Sequence, residues 1–187
     1  MKHIGRILLL TGVLLALGIP ALAASFVYGD VFSFEYPDGW KDFGAETSQD
    51  VPGSYYEAAF LGGRRYDALN VTVRLYYDDE YENVRLFSDG EAVEELRSYI
   101  ESTYYDILWS EIVRSKEHGI PFVVVHGVDS AGESLYAETL NNGWSIVFEG
   151  YAFADTDYDE MRALTQQDVE IFCRMLESFK PAEKERG

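Results

Sequence analysis

The stretch from Ile120 to Phe153 is the part of the chain around which the predicted fold is organised. It contains three runs rich in β-branched and aromatic residues, separated by turn signals around Gly132 and at Asn141-Asn-Gly143. Such runs, joined by short turns, predict an antiparallel meander of three strands. The contiguous valines at 123–125 indicate that the first strand has both faces covered and does not lie at an edge of the sheet.

Shorter runs elsewhere in the chain carry the same two-residue period. They predict strands over residues 31–36, 55–61, 69–77 and 109–113. Residues 41–53 are polar and contain glycine and proline, and they are predicted to form a loop. Trp40 follows a Pro-Asp-Gly turn, and we expect its large ring to be buried against the sheet.

Two segments have the three- and four-residue spacing of amphipathic helices. The first is predicted to begin at a capping box of Ser88 and Glu91, and its apolar stripe continues to Ile107. The second is predicted to run from about Tyr158 to Phe179. A sheet this apolar needs helices or a second sheet packed against it. The elements therefore predict an α+β fold with a central antiparallel sheet and two main helices.

The N-terminus has the pattern of a secretory signal peptide over residues 1–23. Two positive charges precede an apolar run from Ile7 to Ile19, and Ala21-Leu-Ala23 supplies small residues for cleavage. The run is shorter than the ~20 residues that a bilayer-spanning helix needs. Cleavage after Ala23 leaves residues 24–187 as a single secreted or extracytoplasmic domain with no stable membrane insertion. An uncleaved membrane anchor is the alternative.

The net charge argues against one class of partner, and the cysteine count excludes one class of metal site. The chain has 15 Lys and Arg against 33 Asp and Glu, a formal net charge of −18. A surface this acidic repels nucleic-acid phosphates and anionic lipid, which argues against nucleic acid as a partner. The single cysteine, Cys173, excludes an intrachain disulfide and a cysteine-based metal site. It lies among apolar positions of the last helix and is predicted to be an inert packing residue.

Two motifs at the ends of the predicted domain resemble a known family. The first is Phe32-Ser-Phe-Glu-Tyr-Pro-Asp-Gly-Trp40 and the second is Ser178-Phe-Lys-Pro181. With the order of elements between them, they resemble the PsbP-like superfamily, which includes extrinsic lumenal subunits of photosystem II and secreted bacterial proteins. The resemblance implies an α-β-α sandwich about a central antiparallel sheet. It also implies a protein that binds other macromolecules, without a cofactor and without catalysis.

The candidate metal ligands are Asp155, Asp157 and Asp159, because alternate carboxylates of an extended turn can face one calcium ion. The full calcium-loop pattern is not met. Glu160 stands where glycine is needed, and Gln166 stands where the closing glutamate should be. We therefore favour the alternative that these three carboxylates cap the N-terminus of the last helix and complement its dipole.

No residue is assigned to catalysis from the sequence, which lacks a Gly-x-Ser-x-Gly nucleophile motif. His126 shares a predicted strand face with Phe122 and Val124, so we expect it to be packed and hydrogen-bonded rather than to act as a base or ligand. His118 lies in a predicted turn, where a solvated role is expected.

These observations favour a secreted, non-catalytic accessory protein that binds an unknown protein or cell-envelope component. The rival class is an enzyme, a metal-assisted extracellular hydrolase that uses the acidic clusters with a histidine. A calcium- or glycan-binding module is a further alternative, and the 14 tyrosines and 3 tryptophans suggest the glycan.

The signal-peptide pattern generates the first testable prediction. Mass spectrometry of the protein recovered from outside the producing cell should find Ala24 at its N-terminus, because Ala21-Leu-Ala23 is the cleavage pattern. Recovery of a mature pool that retains Met1 would contradict cleavage and favour the membrane anchor.

Overall fold

The computed structural model describes most of the predicted domain, and the structural statements below concern these described residues: 22–28, 32–48, 55–63, 67–77, 90–141, 144–154 and 160–181. The strands within them are β1 (Leu22–Tyr28), β2 (Phe32–Pro37), β3 (Lys41–Ser48), β4 (Tyr55–Gly62), β5 (Asn70–Tyr77), β6 (Asp106–Arg114), β7 (Pro121–Val128), β8 (Glu133–Asn141), β9 (Trp144–Tyr151) and β10 (Lys180–Pro181). The helices are α1 (Gly90–Glu101) and α2 (Gln166–Glu177).

Seven strands form one antiparallel sheet in the order β3-β4-β5-β9-β8-β7-β6. The predicted meander is confirmed, since β7, β8 and β9 are consecutive neighbours in this sheet. Strand β7 lies one position in from the edge strand β6, and the valines at 123–125 are fully buried. Val124 faces one hydrophobic core while Val123 and Val125 face another, as expected for a strand covered on both faces.

Three further strands form a second sheet in the order β1-β2-β10. Strand β1 lies in a segment for which the sequence predicts no strand. It pairs with β2 in a regular ladder from Ala24 opposite Tyr36 to Tyr28 opposite Phe32, and Leu22 joins only across an irregularity in register. The regular ladder therefore begins at the first residue of the predicted mature chain, so cleavage after Ala23 would leave it intact.

Five phenylalanines, each 2% exposed or less, join the two sheets and the chain after α2. Their rings form a closed circuit in which each contacts the next. The centroid distances are 6.2 Å for Phe32–Phe34, 5.0 Å for Phe34–Phe148, 5.8 Å for Phe122–Phe148, 5.1 Å for Phe122–Phe179 and 5.3 Å for Phe32–Phe179. Three of these contacts are edge-to-face, a favoured geometry for aromatic pairs.

Each helix covers a different face of the seven-stranded sheet. Apolar residues of α2, among them Phe172 and Met175, lie in the same core as the phenylalanine circuit. Val93 and Ile100 of α1 pack in the second core against Val123 and Val125. The predicted α+β class is confirmed, but the small sheet that shares a face with α2 is an addition to the predicted architecture.

The prediction of a loop over residues 41–53 is wrong for its first part, which forms the edge strand β3. The strand pairs with β4 from Lys41 opposite Gly62 to Ser48 opposite Tyr56, with an irregularity between Asp42 and Ala45. Backbone pairing needs no apolar side chains, so a polar, glycine-bearing segment can form an edge strand. A bulge and charged residues are common at such edges.

The first helix ends earlier than its apolar spacing predicts. Helix α1 stops at Glu101, and Ile107 belongs to strand β6 instead. The hydroxyls of Ser102 and Thr103 donate to the carbonyls of Tyr99 and Ile100, at 2.6 and 2.7 Å, and so satisfy acceptors at the helix end. The predicted capping residue Ser88 lies outside the described residues.

The last helix begins at Gln166 and not near Tyr158, so the prediction that Asp155, Asp157 and Asp159 cap it is wrong. Its N-cap is Thr165, whose hydroxyl oxygen accepts from the Asp168 backbone N–H. The Asp168 carboxylate in turn accepts from the Thr165 backbone N–H at 2.8 Å, which completes a capping box. This box fixes the start of α2.

Trp40 is partly buried and packs against the main core, in agreement with its predicted position on the sheet. The turn before it is closed by a 3.3 Å hydrogen bond from the Trp40 backbone N–H to the Pro37 carbonyl. Gly39 adopts a φ of 80° in this turn, a conformation that favours glycine. None of the described helices is both long and apolar enough to cross a bilayer.

Thr139 provides a stability test of the core. It is fully buried on β8, on the same face as the core residues Leu135 and Ala137, and its hydroxyl has no hydrogen-bond partner among the described residues. Thr139→Val keeps the shape and removes the unsatisfied group, so it should raise the free energy of unfolding by about 1 kcal/mol.

Thr165→Val is the matched control in chemical denaturation. It is the same change at a hydroxyl that is hydrogen-bonded to Asp168, and it should lower the free energy of unfolding by about 1 kcal/mol. A destabilising effect of Thr139→Val similar to that of Thr165→Val would show that the Thr139 hydroxyl is satisfied.

Candidate functional site

The two histidines considered as catalytic candidates lie in separate surroundings. The Nε2 atom of His126 lies 2.7 Å from Oε1 of Glu133, and both side chains are largely buried. The same Glu133 oxygen accepts from the Leu164 backbone N–H at 2.9 Å. His126 is therefore packed and hydrogen-bonded, as predicted. His118 lies in the turn between β6 and β7, with Nε2 4.0 Å from Glu117 Oε1.

Arg162 fixes the segment that leads into α2. Its guanidinium donates to the Asp67 carbonyl at 3.0 and 2.6 Å and to the Asp168 carboxylate at 2.8 Å. Burial works to raise the pKa of Asp168, but hydrogen bonds from Arg162 and Thr165 outweigh it and hold the pKa below its ordinary value. Arg162, Thr165 and Asp168 are thus joined by hydrogen bonds, which hold the loop before α2.

The calcium candidates Asp155, Asp157 and Asp159 lie outside the described residues. The residues on either side of them form the base of a hairpin, where Phe153 bridges Met161. The Ala154 N–H donates to the Glu160 carbonyl at 2.7 Å. The acidic segment therefore connects two paired stretches of chain, and a calcium site there stays a prediction. The described part of the chain holds no group of three potential metal ligands.

Cys173 is partly buried on α2 and packs against the main core. Burial, with carboxylates nearby, raises the pKa of its thiol to about 12. The thiol therefore stays protonated at neutral pH, which fits the predicted packing role because the thiolate is the reactive form.

A buried carboxylate that the sequence reasoning missed lies on β8. Glu138 is 8% exposed and accepts hydrogen bonds from the Tyr136 hydroxyl at 2.9 Å and from Ser145 Oγ at 2.6 Å. Burial raises its pKa above the ordinary value, and the two hydrogen bonds offset only part of that effect. The spacing of Tyr136 and Glu138 on a strand, with Ser145 across a hairpin, was the signal that could have shown this cluster.

An ion pair lies beside that carboxylate. Arg74 of β5 donates two hydrogen bonds to Glu149 of β9. Glu149 is paired in register with Tyr136, so both side chains are on the face of the sheet that carries Glu138. Burial raises the pKa of Glu149, and Arg74 opposes this. The side chains of this polar patch hydrogen-bond one another, Arg74 with Glu149 and Glu138 with its two hydroxyl donors.

A charged groove lies between the small sheet, the β6–β7 turn and the end of α2. It has a volume of about 260 Å³. Two ion pairs cross it, Lys116 with Glu177 at 2.7 Å and Lys180 with Glu117 at 2.8 Å. Since these cations and carboxylates neutralise one another, the groove presents no strong field to a ligand.

The largest exposed apolar side chains of the described residues are concentrated where α1 leads into β6. We call this set the exposed rim: Tyr99, Tyr105, Ile107 and Leu108. They are 68%, 81%, 36% and 50% exposed, respectively. Tyr76 and Val27 are the other exposed large hydrophobic residues in the described chain, and they lie on different strands.

Tyr104 lies next to the rim in sequence and is partly buried. A Cβ atom on Gly127 would lie 2.6 Å from the Tyr104 ring, so the absent side chain on β7 makes room for it. The Tyr104 ring also packs in the second core. The next residue, Tyr105, is 81% exposed.

Arg97 joins helix α1 to strand β6 next to the rim. Its guanidinium donates to the carbonyl and hydroxyl of Ser110 on the edge strand β6, at 2.8 and 3.0 Å, and to Glu101 at 3.0 Å. This occupies an edge carbonyl that could otherwise pair with another strand. The register of β6 is also irregular between Ile107 and Trp109, which leaves Leu108 outside the regular ladder. The rim is thus an ordered surface beside the edge strand β6, which is contacted by Arg97 and has an irregular register.

The chain is similar to the solution structure of cyanobacterial PsbP (CyanoP) from Synechocystis sp. PCC 6803. The similarity covers 88% of this chain and 95% of that one, with 17% sequence identity and a TM-score of 0.47. No protein-family model and no curated protein matches the sequence.

The raised pKa of Glu138 predicts that its contribution to the free energy of unfolding depends on pH. Because its pKa is raised in the folded state, its contribution to stability is fully present below the ordinary value of 4.5 and is lost as the pH rises through the folded-state pKa. Glu138→Gln removes the ionisation. The free energy of unfolding of Glu138→Gln minus that of wild type should therefore increase as the pH rises from 4.5 to the folded-state pKa. The increase should be at most about 1.4 kcal/mol per pH unit.

Denaturant melts at several pH values measure this difference. Glu95→Gln, at an exposed position of α1, is the control and should show a much smaller change with pH. A difference for Glu138→Gln that stays constant or shrinks as the pH rises would contradict a raised pKa.

Proposed function

We propose that the chain is a secreted PsbP-like accessory protein that acts by binding a protein of the cell envelope or its surroundings, without catalysis. The observation that carries the proposal is the exposed rim. Large apolar side chains grouped at one place on a surface are a common mark of a protein interaction site. Tyrosine, which supplies half of this rim, is enriched in the residues that dominate binding energy.

The rim is suited to binding because its support is rigid. Tyr104 is packed beneath it, and Arg97 ties α1 to β6. A surface that is already ordered loses little conformational entropy when a partner binds, so more of the contact energy contributes to affinity. The secretion part of the proposal is supported by the signal-peptide pattern and by the regular β1 ladder, which begins at Ala24.

The alternative functions have weaker support. For a hydrolase, the better-packed histidine is His126, but its Nε2 is already engaged by Glu133. Glycan binding is favoured by one feature, since the exposed Tyr99 and Tyr105 rings could stack on sugars. The experiment below separates a protein partner from a glycan because mass spectrometry of the digested adduct identifies the crosslinked group as a peptide or as a sugar.

Site-specific photo-crosslinking in the producing cells tests the proposal. A photoreactive amino acid at Tyr105 or Leu108 should form an adduct of discrete mass in which mass spectrometry finds a crosslinked partner peptide, because the rim contacts the partner directly. The control is the same amino acid at Val27, which is 64% exposed on the small sheet and should give no such adduct.

Three results would overturn the proposal. One is the absence of any adduct from both rim positions, and another is an equal yield of the same adduct from Val27. The third is an adduct in which mass spectrometry identifies the crosslinked group as a sugar, which would favour the glycan-binding alternative.

A further inference from the structure

We infer that the partner presents lysine or arginine side chains to the exposed rim, so that the contact combines apolar and cationic groups. This inference rests on the proposed function and specifies the chemistry of the partner. It follows from the exposed carboxylates near the rim and from the contacts of the nearest arginine.

Exposed carboxylates flank the apolar side chains of the rim. Glu95 precedes Tyr99 by four residues on α1, so the two are neighbours on one exposed face of the helix. Asp106 lies between Tyr105 and Ile107 in sequence and is exposed as well. Tyr99 therefore has an acidic neighbour on its helix face, and Tyr105 is followed directly in sequence by an exposed acidic residue.

The arginine on α1 does not neutralise these groups. Arg97 is engaged by the carbonyl and hydroxyl of Ser110 and by Glu101. Hydrogen bonds from Ser110 and Arg97 hold the pKa of Glu101 below its ordinary value, so this carboxylate is ionised at neutral pH. Glu95 and Asp106 remain available to cations from outside.

A cationic protein segment fits this arrangement in three ways. Its ammonium or guanidinium groups can lie over the faces of Tyr99 and Tyr105, where cation–π attraction operates. They can also pair with Glu95 and Asp106. The aliphatic parts of lysine and arginine, or apolar neighbours in the partner, can cover Leu108. Both the apolar and the acidic character of the rim are then matched by one partner surface.

A fluorescent peptide that alternates lysine with leucine is the probe, and binding to the full mature chain is measured by anisotropy. A peptide with glutamate in place of lysine should not bind detectably. The double variant Glu95→Gln with Asp106→Asn should weaken binding of the lysine peptide about tenfold, the effect of losing two charge contacts. Tyr105→Ser should weaken it several-fold as well, because a cation–π contact is lost.

The matched control removes the same two charges elsewhere, by Asp38→Asn with Glu160→Gln, both exposed on other parts of the chain. This variant should bind the lysine peptide within about twofold of wild type, since general attraction to an acidic protein changes equally in both double variants. Thermal melts establish that each variant is folded before binding is compared.

The outcomes separate this inference from the proposed function. Equal losses in the two double variants would show attraction to net charge alone and would overturn the inference. Crosslinks from Leu108 to a partner peptide in that case would leave the proposed function standing. Crosslinked partner peptides that are acidic or neutral would also overturn the inference, and the absence of any crosslink would remove the proposed function itself.

Discussion

The structure depends on the circuit of five phenylalanine rings that joins its two sheets. Phe32 and Phe34 come from the small sheet, Phe122 and Phe148 from the large one, and Phe179 from the chain after α2. These residues are far apart in sequence, so their contact fixes the whole topology at once. Large aromatic side chains in cores contribute several kcal/mol each, and truncation of one to alanine costs about 3–5 kcal/mol. With no disulfide possible in a chain with one cysteine, this packing carries the stability.

The circuit lies on one face of the large sheet, whereas the exposed rim borders the helix on the other face. Polar clusters of the described chain are internally satisfied: His126 with Glu133, Arg162 with Asp168, and Glu138 with its two hydroxyl donors. Such clusters fix loops and strands. The rim differs because its apolar side chains face solvent although its backbone is held in place. This division, with hydrogen-bonded polar clusters inside and exposed apolar side chains at one edge, is the physical reason for the proposal that the rim binds a partner.

The sequence predicted the features that rest on local periodicity. The meander of β7 to β9 and the coverage of both faces at Val124 follow from alternation and β-branching. Errors arose where tertiary contacts decide the outcome. Strand β3 forms by pairing with β4 despite its polar composition, and α1 ends before Ile107 although helical spacing continues by coincidence. The last helix begins at Gln166, inside the segment predicted to be helical, because Thr165 caps it. The rim could be predicted only in part, because the direction of Tyr105 depends on the room that Gly127 leaves for Tyr104.

Hydrogen exchange measured by mass spectrometry tests most directly the claim that the rim is the functional surface. The mature protein is exchanged alone and with an envelope preparation from the producing cells, at equal protein concentration. Slower exchange confined to peptides covering residues 98–110 is the predicted result, because a bound partner shields the amides at that edge. Slower exchange at residues 133–149 or 160–168, with residues 98–110 unchanged, would contradict the account and place the contact at the internal polar clusters.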